Sequence, residues 1–142
     1  MKKIVVFFII VSIIVISVFV AYTNYKAEYN KLQKDNLEYE YYYNKEIEGA
    51  TLATLINKAV DSNTKNNVSK DEKGKYIDNN KNSINIQIYM SDNDTTYDME
   101  TIYNGGINKF VQNFNIIKFK CTKIEYHPNK KIKYLLFEQI SE

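Results

Sequence analysis

The chain has 142 residues, with 19 basic side chains, all of them lysine, and 17 acidic ones. Lys2 and Lys3 precede a long apolar run, and the rest of the chain carries 17 lysines against 17 acids, so it is formally neutral. Without arginine or a cluster of positive charge, it lacks what binding to nucleic-acid phosphates requires. We therefore expect no nucleic-acid partner. The single cysteine, Cys121, excludes an internal disulfide.

The first predicted element is a membrane anchor. From Ile4 to Ala21 the chain reads IVVFFIIVSIIVISVFVA, without any charge. As a helix this run is about 27 Å long, and the residues up to Tyr25 extend it to the ~30 Å of a bilayer core. A cleaved signal peptide is the alternative, but it would have a shorter apolar region that ends in small residues. Phe19 and Ala21 match that pattern poorly. We predict an uncleaved transmembrane segment over residues 4–25.

The lysines at the N-terminus favour one orientation of this segment. Lys2 and Lys3 abut the apolar run, whereas uncharged residues separate its other end from Lys26. Positive charge close to a span marks the cytoplasmic side. We predict a cytoplasmic N-terminus at residues 1–3, a single span in the cell membrane, and an extracytoplasmic domain over residues 48–142.

A tyrosine-rich stretch follows the apolar run. Residues 22–45 hold seven of the 13 tyrosines and contain neither glycine nor proline. We predict that residues 26–47 continue the anchor as a stalk helix. The alternating spacing of three and four is typical of a heptad seam, and we take the following residues as a candidate interaction seam: Tyr25, Tyr29, Leu32, Asn36, Tyr39 and Tyr43. This seam would pack on its own domain, pack on copies of itself with Asn36 setting the register, or stay solvated.

The rest of the chain predicts an α+β domain. Glu48-Gly49-Ala50 breaks the stalk, and an apolar face from Leu52 to Val60 indicates a short second helix. Residues 63–82 are expected to form mainly a loop, with a small hairpin at Lys73-Gly74. Strands are predicted around 84–89, 96–103, 116–126 and 131–140, with a bulge near Thr122. Helical spacing at 107–114 separates the two strand pairs.

The predicted order is therefore helix, helix, two strands, helix, two strands. Short turns within each strand pair favour a four-stranded, largely antiparallel sheet with helices on one face. The predicted core contains Leu55, Ile56, Ile86, Ile88, Phe110, Phe114, Phe119 and Leu136.

This order of elements resembles the type IV pilins and the pseudopilins of type II secretion. The resemblance rests on an apolar N-terminal helix that runs into a longer helix and then a four-stranded antiparallel sheet. It implies a membrane-anchored subunit whose N-terminal helix packs in a filament core. Lys3 and the run Ile4 to Phe8 lack the glycine and the glutamate of the family's processing site, so no family site residue is carried over.

Few residues are candidates for chemistry. Cys121 and His127 are the only thiol and imidazole, and six residues along a strand separate them by about 20 Å. We interpret Cys121 as a core residue and His127 as a solvated turn residue. Asp92, Asp94 and Asp98 have oxygen ligands for a cation but lack the glycine and distal glutamate of a calcium loop, so we interpret them as turn formers. We predict no enzyme, cofactor, metal or small-molecule substrate.

Three function classes remain. The first is a membrane-tethered structural or interaction protein, in which the tyrosine seam contacts a protein partner or another copy, and we favour it. The second is a tethered domain that binds or senses a ligand outside the cell. The third, an enzyme, has no visible set of reactive groups. The abundance of Lys, Asn, Ile and Tyr is typical of bacteria with low-GC genomes.

Overall fold

In the computed structural model, which describes residues 1–140, the chain is an α+β protein. Its elements in chain order are α1 (Lys2–Glu40), β1 (Glu46–Glu48), α2 (Gly49–Lys65), β2 (Asn85–Met90), β3 (Thr95–Asp98), α3 (Met99–Phe114), β4 (Lys118–Tyr126) and β5 (Ile132–Gln139). The contacts divide the chain into two compact units, and the boundary along the chain lies between Asp35 and Asn36. The first unit is helix only, and the second contains the sheet.

Helix α1 begins with the apolar run. Every side chain from Met1 to Lys31 is exposed. Among the described residues, α1 is the one helix that is long and apolar enough to cross a membrane. Its polar side chains are accommodated locally, because the Ser17 hydroxyl donates to the Ile13 carbonyl one turn earlier at 2.8 Å. The sequence prediction of one apolar N-terminal helix is confirmed.

The predicted stalk helix is too long at its C-terminal end. We expected helix through residue 47, but α1 ends at Glu40. Asn44 adopts φ +58°, a left-handed conformation that asparagine tolerates better than most residues. Its backbone N–H then donates to the Cys121 carbonyl at 2.9 Å. The chain turns here because Glu46–Glu48 pairs with β4 as a short strand, with Ile47 buried between two exposed glutamates.

The sheet has five strands and is mixed, in the order β1-β4-β5-β2-β3. The two predicted hairpins are present, since β2 pairs with β3 and β4 with β5, both antiparallel. The prediction of four strands is wrong because it misses β1, which begins in the segment assigned to the stalk. One pair is also parallel, β2 with β5, where the two hairpins meet side by side. Turn signals in the sequence identify hairpins but carry no information about how two hairpins join.

The second predicted strand is largely a helix. We expected Tyr97 to Thr101 to alternate along a strand, but β3 ends at Asp98 and α3 begins at Met99. The helix continues across Asn104-Gly105-Gly106, so most of the strand predicted at 96–103 and the helix predicted at 107–114 form one helix. Gly106 absorbs the irregularity with φ +102° and produces a kink inside α3. Met99 is fully buried, so tertiary packing outweighs the strand pattern here.

The core lies between α2, α3 and one face of the sheet. Of the predicted core, Leu55, Ile56, Ile86, Ile88, Phe110 and Phe119 are buried, and Phe114 is partly buried against them. The parity of β4 is confirmed, because Phe119 is enclosed while Lys118 and Lys120 are exposed. The register of β4 against β5 also shifts between Cys121 and Lys123, so the predicted bulge is confirmed.

One predicted core residue lies on the wrong face. Leu136 is only half-buried, and its neighbours Leu135 and Phe137 fill the core instead. Three consecutive large apolar residues leave the parity of a strand undecided in the sequence. The bulge in the partner strand and the pairing with β2 decide it in the structure.

Gly49 provides a stability prediction. It is buried at the start of α2, and its N–H donates to the Ile117 carbonyl at 2.9 Å. A methyl group there would overlap the backbone carbonyl of Phe114. We expect Gly49→Ala to lower the free energy of unfolding by about 1–3 kcal/mol. The reason is that the Phe114 backbone cannot move aside as a flexible side chain could. Urea unfolding of the full-length protein in detergent micelles measures this change.

Gly105→Ala is the matched control. A methyl group at Gly105 in α3 meets nothing within 4 Å. Alanine at an unstrained helical position stabilises by about 0.4–1 kcal/mol. The two identical substitutions should therefore change stability in opposite directions. Equal effects at both positions would show that the contact between Gly49 and Phe114 does not constrain the fold.

Candidate functional site

The candidate seam is divided between the two compact units. In the first unit, Tyr25 and Tyr29 are 68% and 48% exposed, and Leu32 is half-buried. The two rings stack one helical turn apart, with 6.4 Å between their centroids. These exposed rings directly follow the apolar run and lie before the folded domain. They form the part of the seam that is open to a partner.

The rest of the seam belongs mostly to the folded domain. Asn36 and Tyr39 are only 7% and 4% exposed. The Asn36 amide donates to the Lys130 carbonyl at 2.8 Å, and its oxygen accepts from the Ile132 N–H at 3.0 Å. Asn36 thus binds the backbone of the turn between β4 and β5. Tyr43 is 47% exposed and forms an isolated parallel β-bridge with Cys121.

A second contact fastens the end of α1 to the same hairpin. The Tyr126 hydroxyl donates to the Glu40 carboxylate at 2.9 Å. Burial, together with this hydrogen bond to a charged acceptor, raises the pKa of Tyr126 to about 12. The last turn of α1 is therefore a structural element of the domain. The residues that hold it lie in the hairpin of β4 and β5, 86 to 96 positions further along the chain.

Asn36→Ala tests this role. The substitution removes both hydrogen bonds and leaves the buried Ile132 N–H without its acceptor. We expect a loss of about 1–3 kcal/mol in the free energy of unfolding, even though alanine is the better helix former. Urea unfolding in micelles measures it.

Leu37→Ala serves as the control, because Leu37 is the next residue and is 59% exposed. It should change stability by less than about 0.5 kcal/mol. A change in oligomeric state without loss of stability in Asn36→Ala would instead assign Asn36 to an interface between copies.

Cys121 is a core residue, as the sequence predicted. It is fully buried in β4, and burial raises the pKa of its thiol to about 11. Because the thiolate is the reactive form, the native thiol is doubly protected at neutral pH, by enclosure and by protonation.

We expect the native protein to resist maleimide labelling at pH 7 and to react fully in denaturant. Mass spectrometry after a short labelling pulse measures the reacted fraction. The rate at intermediate urea then reports opening of the domain. Rapid labelling without denaturant would place Cys121 at the surface.

His127 is not the solvated turn residue that the sequence suggested. The residue is only 2% exposed, and its Nε2 lies 2.7 Å from the Ser83 carbonyl oxygen. Asp78 is nearby, with its Oδ1 3.7 Å from Nδ1. The hydrogen bond from Lys133 lowers the pKa of Asp78, and the two groups are 2.6 Å apart. This network was missed because the loop at 78–83 and the turn at 127 are distant in the chain.

Ser83, His127 and Asp78 are the residue types of a hydrolase triad, but their geometry differs. A carbonyl oxygen only accepts, so Nε2 must carry the proton that it donates to Ser83. That nitrogen therefore cannot take a proton from the Ser83 hydroxyl, which lies 3.5 Å away and itself donates to Asp78 at 3.2 Å. The network ties the loop to the hairpin and does not activate the serine.

The three aspartates of SDNDTTYD have separate partners. Asp92 accepts from Gln139 at 2.6 Å, Asp94 accepts from the Tyr89 hydroxyl at 2.8 Å, and Asp98 pairs with Lys75. They do not converge on one point. Within residues 1–140, no group of three ligating side chains is positioned to hold a metal ion.

A pocket of about 200 Å³ lies between α3 and the ends of β2 and β5. Apolar side chains from α3 and β2 form much of its wall, and polar groups of β3, β5 and the turn between β2 and β3 complete it; its lining residues are Met90, Asp92, Asn93, Tyr97, Ile102, Phe110, Phe114 and Gln139. Gln139 is 8% exposed, and its Oε1 has no hydrogen-bond partner within residues 1–140. A buried acceptor left without a donor costs about 1–3 kcal/mol. The sequence predicted no such pocket.

The chain matches no protein-family model, no curated protein and no solved structure.

Proposed function

We propose that the protein is a single-pass membrane protein whose folded domain lies outside the cytoplasm and acts as a structural or interaction module. The observation that carries this proposal is the composition of α1. Residues 4–21 of α1 form an uncharged, exposed run long enough to cross a bilayer, and the last turn of α1 is part of the core of the domain. An exposed apolar surface of this size requires a lipid or protein cover.

Membrane fractionation tests the anchor. We expect the full-length protein to stay with membranes in alkaline carbonate, and mass spectrometry to find Met1 to Ala21 in the mature chain. A mature N-terminus beyond Ala21 would convert the protein to a secreted one. The tyrosines at the end of the run support retention, because Tyr22 and Tyr25 lie where amphipathic rings settle at the lipid headgroups.

The orientation is tested with engineered cysteines. Lys2→Cys precedes the apolar run, and Lys65→Cys is an exposed position at the end of α2. A membrane-impermeant maleimide should label Lys65→Cys on intact cells, and should label Lys2→Cys only after lysis. The wild-type chain is the control, because its buried Cys121 is expected to stay unlabelled in both conditions. The reverse pattern would place the domain in the cytoplasm.

The interaction role rests on the exposed rings of the stalk. Tyr25 and Tyr29 present large apolar area with hydrated hydroxyls, which suits a surface that must stay soluble before it binds. We propose that this face contacts a second copy of the chain or another membrane-anchored protein. The resemblance to pilins concerns the order of elements alone, and assembly into a filament stays a prediction.

The double variant Tyr25→Ala/Tyr29→Ala tests that contact. Analytical ultracentrifugation in micelles should show self-association of the wild type and its loss in the variant. Tyr103→Ala is the matched control, since Tyr103 is an exposed tyrosine of α3. Tyr39→Ala is unsuitable because Tyr39 is buried, so its loss would disturb the fold. A wild type that is monomeric in micelles and cross-links to no membrane protein would contradict the interaction role.

A further inference from the structure

We propose that the pocket between α3 and the ends of β2 and β5 binds a small organic amine with an apolar or aromatic body. Its volume of about 200 Å³ is below the ~300–1,000 Å³ of sites for drug-sized ligands. The occupant is therefore a molecule of a few carbon atoms or a single ring. Neither the anchor nor the stalk contributes to this site, so it goes beyond the proposed interaction role.

The polar groups of the pocket require a donor. The carboxylate of Asp92 only accepts, so the Gln139 amide must present its NH₂ group to it, at 2.6 Å. This orientation fixes Oε1 as the free end of the amide, and that oxygen has no partner within residues 1–140. A ligand that brings an N–H group would satisfy an acceptor that the protein leaves unpaired.

The charge at the rim favours a cation. Asp92 is exposed at the mouth, and none of the ion pairs among the described residues involves it. Tyr97, Phe110 and Phe114 contribute aromatic rings to the wall. An ammonium group next to a carboxylate and over aromatic rings gains both ion pairing and cation–π attraction. A carboxylate ligand would meet Asp92 with like charge.

Three probes that share one phenethyl body test the assignment on the full-length protein in nanodiscs. They are 2-phenylethylamine, 2-phenylethanol and 3-phenylpropanoate, which place an ammonium, a hydroxyl and a carboxylate on the same aromatic body. We expect saturable shifts of the Gln139 side-chain amide resonances in NMR with the amine alone. Equal binding of the alcohol or the carboxylate, or no saturable shift by about 10 mM amine, would overturn the proposal.

A matched pair of variants locates the charge. Asp92→Asn keeps the size and the acceptor for Gln139 but removes the negative charge, and it should weaken amine binding about fivefold or more. Asp94→Asn is the control, because Asp94 lies two residues further in the same turn and does not line the pocket. Its left-handed backbone, with φ +50°, is one that asparagine adopts readily. Equal amine affinity in the wild type and Asp92→Asn would overturn the assignment. The membrane anchor is tested separately by fractionation, and the outcome of that test does not depend on amine binding.

Discussion

Phe119→Ala is expected to lower the free energy of unfolding by about 3–5 kcal/mol. The Phe119 ring is fully buried in β4, and its centroid lies 6.1 Å from that of Phe110 in α3. Truncation loses the transfer free energy of the ring and leaves a cavity between sheet and helix, which the surrounding elements fill only partly. For a domain of this size the loss is a large share of the total stability.

The measurement uses the single buried thiol of the chain. Cys121 lies two residues from Phe119 in β4 and is fully buried. We expect it to react only when the domain opens, so that its labelling rate across a urea series follows unfolding in micelles. Ile116→Ala is the control, because Ile116 is 77% exposed and should change stability by less than about 0.5 kcal/mol. A Phe119 variant as stable as the control would show that this ring is not enclosed.

Ile13→Lys is expected to cost about 2.5–3.5 kcal/mol of membrane-insertion free energy. Ile13 lies near the middle of the uncharged run, where lysine has the longest distance to reach a headgroup. The remaining aliphatic residues of the run still favour insertion, so we expect partial and not complete loss from the membrane fraction. Carbonate extraction followed by quantification of pellet and supernatant measures the change.

The control for this prediction preserves the helix and moves the charge. Asn24→Lys places the charge beyond the apolar run and close to Lys26, where a lysine side chain reaches the interface. It should leave the membrane fraction unchanged. If Ile13→Lys is also retained as fully as the wild type, the run is held by a protein surface that tolerates charge, and α1 is not a lipid-embedded span.

Local patterns predicted the elements whose sequence constraints are strong. The uncharged run gives an apolar helix irrespective of its surroundings, and the apolar face of α2 needs only a surface on which to pack. Alternation around Ile86 and Ile88 likewise specified a half-buried strand, and the slip of parity near Thr122 specified the bulge. In each case the period of apolar residues leaves one conformation that buries them.

Other elements were missed because their conformation is decided at a distance. The end of α1 carries no glycine or proline, and the helix ends at Glu40 where the chain turns to pair residues 46–48 with β4. Met99 becomes helical because the core encloses it. Leu136 lies on the half-exposed face because the register of β5 against β2 and β4 turns Leu135 and Phe137 into the core.

The candidate sites follow the same division. The sequence by itself determined the apolar N-terminal helix and the tyrosine-rich stretch beside it, because hydrophobic length and ring spacing are properties of a continuous stretch. Only the tertiary structure decided that Asn36 binds the turn at Lys130 and that His127 is buried under the loop at Ser83. It alone joined Asp92 to Gln139 at one pocket, since those two residues are 47 positions apart. Long-range strand pairing sets these contacts, and no local pattern of charge or hydrophobicity encodes it.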